Sequence, residues 1–272
     1  MGVREAIASA VQRLAAVSDT PRLDAELLMA EALGMEREAL LLSAQARPAP
    51  SSFAALVARR AAAEPVAYIL GRRAFWTIEV AVGPGVLIPR PDSETLIEAA
   101  VDHFGAAGPA TILDLGTGSG ALLFAALDQW PGARGLGVDR SEAALAAARA
   151  NAVRLGLSER ASFRRGDWAR GIDGGYDLIL CNPPYVEQGA ALPRDVASWE
   201  PHDALFAGAD GLAAYRRIAP ALPGLLAPCG IACVEVGAGQ ADAVSALFAA
   251  EGFAVSRRND LAGHVRCLIL NA

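Results

Sequence analysis

The 272-residue sequence contains no lysine, so all 24 of its basic residues are arginine. Mechanisms that require a lysine, such as Schiff-base catalysis or phosphate binding by a P-loop, are therefore excluded. Histidine is also scarce, and His103, His202 and His264 stand far apart, without the spacing of metal ligands. We therefore predict that the protein has no metal site.

Cysteine pairs are missing as well. The four cysteines, Cys181, Cys229, Cys233 and Cys267, form no C-x-x-C pair, and no secretion signal accompanies them. A disulfide framework is therefore not expected. Because each cysteine lies in or beside an apolar, strand-like run, the sequence predicts buried free thiols.

Long hydrophobic runs and an excess of positive charge are absent too. Mean hydropathy is +0.31, but no run of about 20 apolar residues lacks charge or proline, so no membrane span is predicted. Arg4, Glu5 and Arg13 space charges through residues 1–18, which is typical of an amphipathic helix rather than a signal peptide. We expect a cytoplasmic protein. The net charge of −6 argues against a protein that holds nucleic acid mainly by neutralising phosphates.

Three regions differ in their sequence pattern. Residues 1–73 show helical periodicity, broken at Thr20-Pro21 and at the prolines of 48–50, and predict a small helical bundle. Residues 74–92 form a predicted hairpin linker, in which Phe75–Val80 alternates like a strand before the glycines and prolines that follow. Residues 93–272 alternate strands with helices.

This alternation predicts an α/β fold. The predicted strands are 111–115, 135–138, 161–164, 176–181, 230–236, 253–258 and 264–270, and the predicted helices are 121–129, 141–155, 215–226 and 240–251. Apolar strands separated by helices imply a doubly wound, Rossmann-like sheet, mostly parallel with an antiparallel last strand and helices on both faces.

A glycine-rich turn follows the first strand of this domain. It consists of Asp114, Leu115, Gly116, Thr117, Gly118, Ser119 and Gly120. Glycines let the backbone turn tightly and approach a ligand at a helix N-terminus, and Asp139, closing the next strand, can accept hydrogen bonds from ribose hydroxyls. A turn with a capping aspartate is the structural alternative. Because NAD enzymes use a related turn, the pattern predicts a nucleoside site but leaves the nucleoside open.

Asn182-Pro183-Pro184-Tyr185 ends the fourth strand of the domain. Proline fixes φ and lacks an N–H, so the strand stops there, and Asn182 is driven toward an extended conformation. In a doubly wound sheet, the first and fourth strands are neighbours, so Asn182 should lie beside the glycine turn. The Asn182 side-chain oxygen and the Pro183 carbonyl could accept both hydrogens of a planar amino group, while Tyr185 offers it a flat face. This arrangement would aim a weakly nucleophilic nitrogen at a methyl donor.

Asp114–Gly120 together with Asn182–Tyr185 resembles the class I S-adenosylmethionine-dependent methyltransferases that carry an N-P-P-Y motif. Within these, the chain resembles the release factor glutamine N5-methyltransferases, the PrmC/HemK family. Further segments with this resemblance span nearly the whole chain: 23–28, 64–71, Phe75-Trp76, 87–94, Gly166-Asp167-Trp168, Trp199-Glu200-Pro201 and 260–263.

The resemblance implies a role for each matching residue. S-adenosylmethionine would contact Asp114, Gly116, Thr117, Gly118, Ser119, Gly120, Asp139, Asp167, Trp168 and Asn182. From the residues alone, Trp168 could equally be a core residue. Asn182, Pro183 and Tyr185 would be catalytic, and with Pro184 they would bind the substrate. That substrate would be the glutamine of the Gly-Gly-Gln loop of class I peptide chain release factors, bound by a monomeric enzyme whose helical domain recognises it. Arg90 would be either catalytic or a structural clamp between two prolines.

Three other functions fit parts of the pattern. An N-P-P-Y enzyme acting on exocyclic amines of nucleic acid would use the same acceptors, with Tyr185 stacked on a flipped base. Acidic charge and the lack of a basic tract weigh against stable nucleic-acid binding. A noncatalytic nucleotide-binding module would not need Asn182 and Tyr185, and an NAD dehydrogenase would leave the Asn-Pro-Pro-Tyr corner without a role.

Overall fold

The structure is a computed structural model that describes residues 1–43 and 47–271. The described chain forms two compact units. The helical unit comprises Met1–Arg72 and Ala191–Glu200, and the sheet unit comprises Arg73–Ala190 and Pro201–Ala272. The sequence pattern assigns residues 191–200 to the catalytic domain, so the structure adds to the helical unit a segment that is distant in sequence.

Helices occur in both units. In chain order they are α1 (Val3–Leu14), α2 (Pro21–Leu33), α3 (Arg37–Ser43), α4 (Ser52–Ala61), α5 (Val66–Leu70), α6 (Glu94–Phe104), α7 (Ala121–Gln129), α8 (Glu142–Arg154), α9 (Arg194–Trp199), α10 (Ala213–Ile218) and α11 (Ala241–Ala250). Short 3-10 helices lie at Pro91–Ser93, His202–Ala204 and Ala219–Gly224. No helix in the described part of the chain has the length and apolar character to cross a membrane.

Apolar side chains at helical spacing form the core of the helical unit. Val3, Ala6, Ala10 and Leu14 make one buried face of α1 and pack with residues of α2 to α5. Pro21 begins α2, and Gly34, at φ 65°, ends it in the left-handed conformation that glycine adopts without strain.

A buried arginine joins α9 to this bundle. The guanidinium of Arg60 donates to Asp24 at 2.7 Å and to Asp195 of α9 at 3.3 Å. Its side chain is only 5% exposed, so both carboxylates meet a cation that water scarcely reaches. The ion pair therefore holds the 191–200 segment within the helical unit.

The strands are β1 (Arg72–Phe75), β2 (Ile78–Ala81), β3 (Thr111–Leu115), β4 (Arg134–Asp139), β5 (Ala161–Arg165), β6 (Tyr176–Cys181), β7 (Leu226–Glu235), β8 (Ala254–Asn259) and β9 (Val265–Asn271). The large sheet has the order β5-β4-β3-β6-β7-β9-β8. Its first five strands are parallel, and β9 is antiparallel to both β7 and β8. The predicted fold class is confirmed, and β3 and β6 are neighbours whose carboxyl ends open at the switch point.

Local predictions were wrong at several places. Phe75–Val80 is not one strand, because Trp76 adopts φ 54° and turns the chain between β1 and β2 of a hairpin. The helix predicted from Tyr215 becomes a 3-10 helix at Ala219, where its prolines remove backbone donors. Cys229 is exposed rather than buried, because it lies in the outer part of the long strand β7.

Candidate active site

Hydrogen bonds to the end of β4 hold the glycine turn after β3. The backbone N–H groups of Gly116 and Thr117 both donate to the Val138 carbonyl, at 2.8 and 3.0 Å. The Gly118 N–H donates to the Asp139 carboxylate at 2.9 Å. The turn and Asp139 are therefore parts of one rigid corner, which faces the carboxyl edge of the sheet.

Gly116 and Gly120 are each needed because a side chain would meet close neighbours, which differ between the two positions. A Cβ on Gly116 (φ +78°) would lie 3.3 Å from the Trp168 ring and 3.8 Å from the Asn182 carbonyl oxygen. Gly116 thus lets these two elements approach the turn. Gly120 (φ +86°) begins α7, and a Cβ there would overlap the Phe124 ring. Both positions adopt the left-handed region, which glycine tolerates best.

The carboxylate of Asp139 is oriented before any ligand binds. Its second oxygen accepts from the Ser141 N–H at 2.8 Å, and Ser141 caps α8 by accepting from the Ala144 N–H. Carboxylate oxygens have further lone pairs. Asp139 can therefore accept hydrogen bonds from hydroxyls of a ligand without giving up these internal bonds.

A cavity of about 1000 Å³ opens at this corner. Its lining includes the following predicted site residues: Gly116, Thr117, Gly118, Ser119, Asp139, Asp167, Trp168, Asn182 and Pro184. Asp114, Gly120, Pro183 and Tyr185, all within the described chain, lie outside this lining. The tips of β3 and β6 thus face the same space.

Asp114 lies beneath the turn and is 1% exposed. Its carboxylate accepts from the Thr117 hydroxyl at 2.6 Å. Burial raises the pKa of Asp114 to about 7, and the nearby charge of Asp139 adds to this rise. The position outside the lining indicates that Asp114 supports the turn from below.

Asn182 directly follows the last residue of β6, and its side-chain amide holds it in place. Its Nδ2 donates to the Ser93 hydroxyl at 3.0 Å, and that hydroxyl donates to the Glu235 carboxylate at 2.5 Å. The Tyr185 hydroxyl donates to the other Glu235 oxygen at 3.2 Å. These contacts join the β6 tip to the end of β7 and to the start of α6.

Glu235 is fully buried at the end of β7. Burial raises the pKa of its carboxyl to about 7, while bonds from Ser93 and Tyr185 and the charge of Arg266 act in the opposite direction. Burial also raises the pKa of Tyr185 well above its usual range. The tyrosine is therefore a neutral hydroxyl donor at physiological pH.

Sequence reasoning missed several residues that build this corner. Gln240 donates to the Tyr185 carbonyl at 3.0 Å and accepts from the Gly237 N–H, so it fixes the backbone after the prolines. Asn151 donates to the Ala81 and Ser119 carbonyls, which ties the hairpin to the glycine turn. Among the missed residues, Glu235 left a sequence signal, as a lone charge in an apolar strand.

Known proteins match this architecture over nearly its whole length. Residues 5–71 match the PrmC N-terminal domain, and residues 108–216 match a methyltransferase domain. The release factor glutamine methyltransferase of Rhodospirillum rubrum is 46% identical over 257 residues, which cover 92% of this chain and 79% of that protein. The protein of the same name from Cereibacter sphaeroides is 43% identical, with 98% and 97% covered. The chain belongs to the release factor glutamine methyltransferase family.

A solved structure supports the fold independently of this family. The catalytic domain of hMettl16, in complex with MAT2A 3'UTR hairpin 6, matches 79% of this chain and 81% of its own with a TM-score of 0.60. Sequence identity is only 16%, so the match concerns the fold alone. The enzyme thus has a methyltransferase sheet and, as a member of its family, uses S-adenosylmethionine, which excludes the dehydrogenase alternative.

The cavity of this methyltransferase fits an adenosine-bearing cofactor. Gly116 lets Trp168 and Asn182 lie close to the turn, Asp139 offers oriented acceptors, and Trp168 presents an aromatic surface in the lining. Trp168 adopts φ 54°, and the preceding Asp167 is ion-paired with Arg217. The chain direction that aims Trp168 at the turn is therefore held by a specific contact.

Proposed function

We propose that this enzyme transfers a methyl group from S-adenosylmethionine to the side-chain amide nitrogen, N5, of a glutamine. The glutamine is that of the Gly-Gly-Gln motif of class I peptide chain release factors, and its methylation modulates translation termination. The observation that carries the proposal is the shared cavity. The glycine turn and Asn182 line it together, so a methyl donor and a planar amide would meet there.

The cofactor would be held by the corner already described. We assign its adenosine to the Gly116–Gly120 turn, Asp139, Asp167 and Trp168, with Asp114 supporting the turn. When bound, the cofactor supplies an electrophilic methyl group on a positively charged sulfur. The protein's own task is then to orient the amide and to keep competing water out.

The amide nitrogen of glutamine is a poor nucleophile because its lone pair is shared with the carbonyl group. We propose that the Asn182 Oδ1 and the Pro183 carbonyl accept its two hydrogens, which aims the nitrogen and stabilises the charge that develops on it. Because Nδ2 of Asn182 bonds to Ser93, Oδ1 is the atom left to accept. Pro184 contributes apolar lining beside it.

Tyr185 is predicted to offer a flat face to the substrate amide. Its hydroxyl bonds to Glu235 and its carbonyl accepts from Gln240. These contacts favour a role in holding the Asn-Pro-Pro-Tyr corner in shape, and the stacking role stays a prediction.

We further propose that the helical unit, residues 1–73 in the predicted division, recognises the release factor. Its match to the PrmC N-terminal domain supports this assignment. We expect the enzyme to act as a monomer in the cytoplasm, where release factors work, and to bind no nucleic acid stably, in line with its net charge of −6.

The experiment uses labelled S-adenosylmethionine, the purified enzyme and a class I release factor, followed by peptide mapping. One labelled peptide, containing the Gly-Gly-Gln motif, is expected, and a release factor with asparagine at the motif glutamine should take up no label. DNA and ribosomal RNA are offered in parallel. Label in either nucleic acid, with none in the release factor, would establish the exocyclic-amine alternative.

A further inference from the structure

A chain of hydrogen bonds runs from a buried acid to the catalytic corner. Glu235 accepts from the Ser93 hydroxyl, and the Ser93 oxygen accepts from Asn182 Nδ2. Ser93 and Asn182 line the cavity, whereas Glu235 is fully buried behind them. Of the two hydroxyls that donate to Glu235, that of Ser93 belongs to the cavity lining and that of Tyr185 lies outside it.

The direction of this chain follows from hydrogen-bond chemistry. An ionised carboxylate accepts hydrogen bonds and cannot donate them. A serine hydroxyl has a single hydrogen, so when Ser93 donates to Glu235 it has only lone pairs to offer Asn182. Asn182 must then turn its NH2 group toward Ser93. The flipped amide would place Oδ1 against the Ser93 oxygen, leaving two acceptors in contact and one buried group unsatisfied.

We infer that Glu235, acting through the Ser93 hydroxyl, sets the orientation of the Asn182 side-chain amide and is a positioning residue for methyl transfer. The inference rests on the proposed function, in which Asn182 Oδ1 accepts a hydrogen of the substrate amide. A flipped Asn182 would present an N–H donor to an amide nitrogen whose own N–H groups need acceptors. The substrate could then bind, but its nitrogen would not be aimed.

Burial raises the pKa of Glu235, and the hydrogen bonds and the cation around it act against that rise, so that its carboxylate form can accept from both sides. The titratable and charged groups that face it are Asp92 from the 3-10 helix before α6, Cys181 and Tyr185 from the β6 end, Tyr215 from α10, and Arg266 and Cys267 from β9. The Tyr185 hydroxyl donates to Oε1, which leaves Oε2 for Ser93. Arg266 is the cation among these groups, and it favours the ionised carboxylate.

The test compares Glu235→Gln, Ser93→Ala and the double variant with the wild type, using kcat and KM for the release factor and the Kd of S-adenosylmethionine. The amide introduced by Glu235→Gln keeps the shape of the carboxylate but can donate or accept, so both orientations of Ser93 and Asn182 become available. We expect each single variant to lose about tenfold in kcat, as for one misoriented hydrogen-bonding group, with little change in KM or Kd.

Two comparisons separate positioning from a merely structural role. Because Glu235 and Ser93 act in series, the double variant should be no slower than the slower single variant. Ser93→Thr keeps a hydroxyl and should restore kcat to near the wild-type value. The matched control is Tyr215→Phe, which removes a hydrogen bond to the Glu235 backbone carbonyl at 3.0 Å and leaves the carboxylate contacts intact. It should lower thermal stability without the tenfold loss of kcat.

The outcomes distinguish this inference from the proposed function. A wild-type enzyme that leaves the release factor unlabelled would refute the proposed function. If the wild type is active and Asn182→Ala is not, but Glu235→Gln and Ser93→Ala retain full kcat, or their losses multiply in the double variant, the positioning role is wrong. If Glu235→Gln does not fold, Ser93→Ala and Ser93→Thr still test whether the Ser93 hydroxyl orients the Asn182 amide.

Discussion

The two units of this protein treat buried acids in different ways. In the helical unit, Asp24 and Glu26 each bond directly to arginine. Burial acts to raise the pKa of Glu26, but its hydrogen bonds and ion pairs with Arg22 and Arg37 bring that pKa below its ordinary value. In the sheet unit, Asp114 and Glu235 bond to hydroxyl groups, and burial raises the pKa of each to about 7.

The difference corresponds to two roles. An acid paired with arginine stays ionised and ties helices together, and removal of its cation leaves a buried charge without a partner. An acid bonded to hydroxyls can gain or lose a proton near neutral pH. In the sheet unit such acids lie at the ends of β3 and β7, directly behind the residues that line the cavity. Asp114 and Glu235 thus differ from Asp24 and Glu26 in the chemistry of their partners.

The largest expected effect concerns Asn182, the side chain that Glu235 supports through Ser93. Asn182→Ala removes the proposed acceptor, and we expect kcat to fall by roughly 100-fold to 1000-fold, as when one oriented hydrogen-bonding group is lost from a transition state. The Kd of S-adenosylmethionine, measured by calorimetry, should change only a few-fold. Near-normal turnover would show that the cavity does not use the β6 tip as proposed.

Substitutions at the buried ion pairs of the helical unit should change the free energy of unfolding rather than the rate of methyl transfer. Arg60→Met leaves Asp24 buried without its cation, which should lower the free energy of unfolding by roughly 3 kcal/mol. Urea denaturation followed by circular dichroism measures this loss. The matched control is Arg22→Met, because the Arg22 side chain is 79% exposed and its removal should cost about 0.5 kcal/mol. Equal losses would contradict the distinction between buried and exposed pairs.

A smaller effect is expected in the pH profile of methyl transfer. Below a pH of about 7, Glu235 takes up a proton, can donate to Ser93, and no longer enforces one Asn182 orientation. Wild-type kcat should therefore fall several-fold as pH is lowered through this range. In Glu235→Gln this fall in kcat should be absent, while any other pH dependence remains. If the fall persists unchanged in the variant, another group is responsible for it.

The smallest expected effect is an opposite slope of stability with pH in the two units. The folded pKa of Glu235 is raised, so its stabilising contribution is complete below the ordinary carboxyl pKa and is lost as pH rises through about 7, with a slope of about 1 kcal/mol per pH unit. The folded pKa of Glu26 is lowered, so its contribution is present above the ordinary pKa and is lost as pH falls through the folded value.

Unfolding free energies of the wild type, Glu235→Gln and Glu26→Gln between about pH 4 and pH 8 would measure these slopes. Relative to Glu235→Gln, the wild type should gain stability as pH falls. Relative to Glu26→Gln, it should lose stability over the acidic end of the range. Slopes of the same sign would mean that partner chemistry does not set the charge state of these acids.

The features that were predicted correctly depend mainly on residues that are close together in the sequence, and those that were missed depend on more distant residues. The glycine turn and the end of β6 were predicted because proline and glycine act within a few residues, and the alternation of strands and helices was enough to imply the doubly wound sheet. The turn at Trp76 and the 3-10 segment from Ala219 were not predicted correctly, since each depends on how a short run meets its neighbours. The grouping of residues 191–200 with the helical unit depends on Asp195 reaching Arg60, which is 135 residues away.

The sequence by itself determined the backbone of the proposed site, because glycine permits a tight turn and proline fixes its own φ wherever they occur. Only the tertiary structure decided how that site is held. Ser93 meets Glu235 across 142 residues and Asn182 across 89. Contacts of that range depend on which strands become neighbours in the sheet, and local sequence carries no record of a side chain's distant partner.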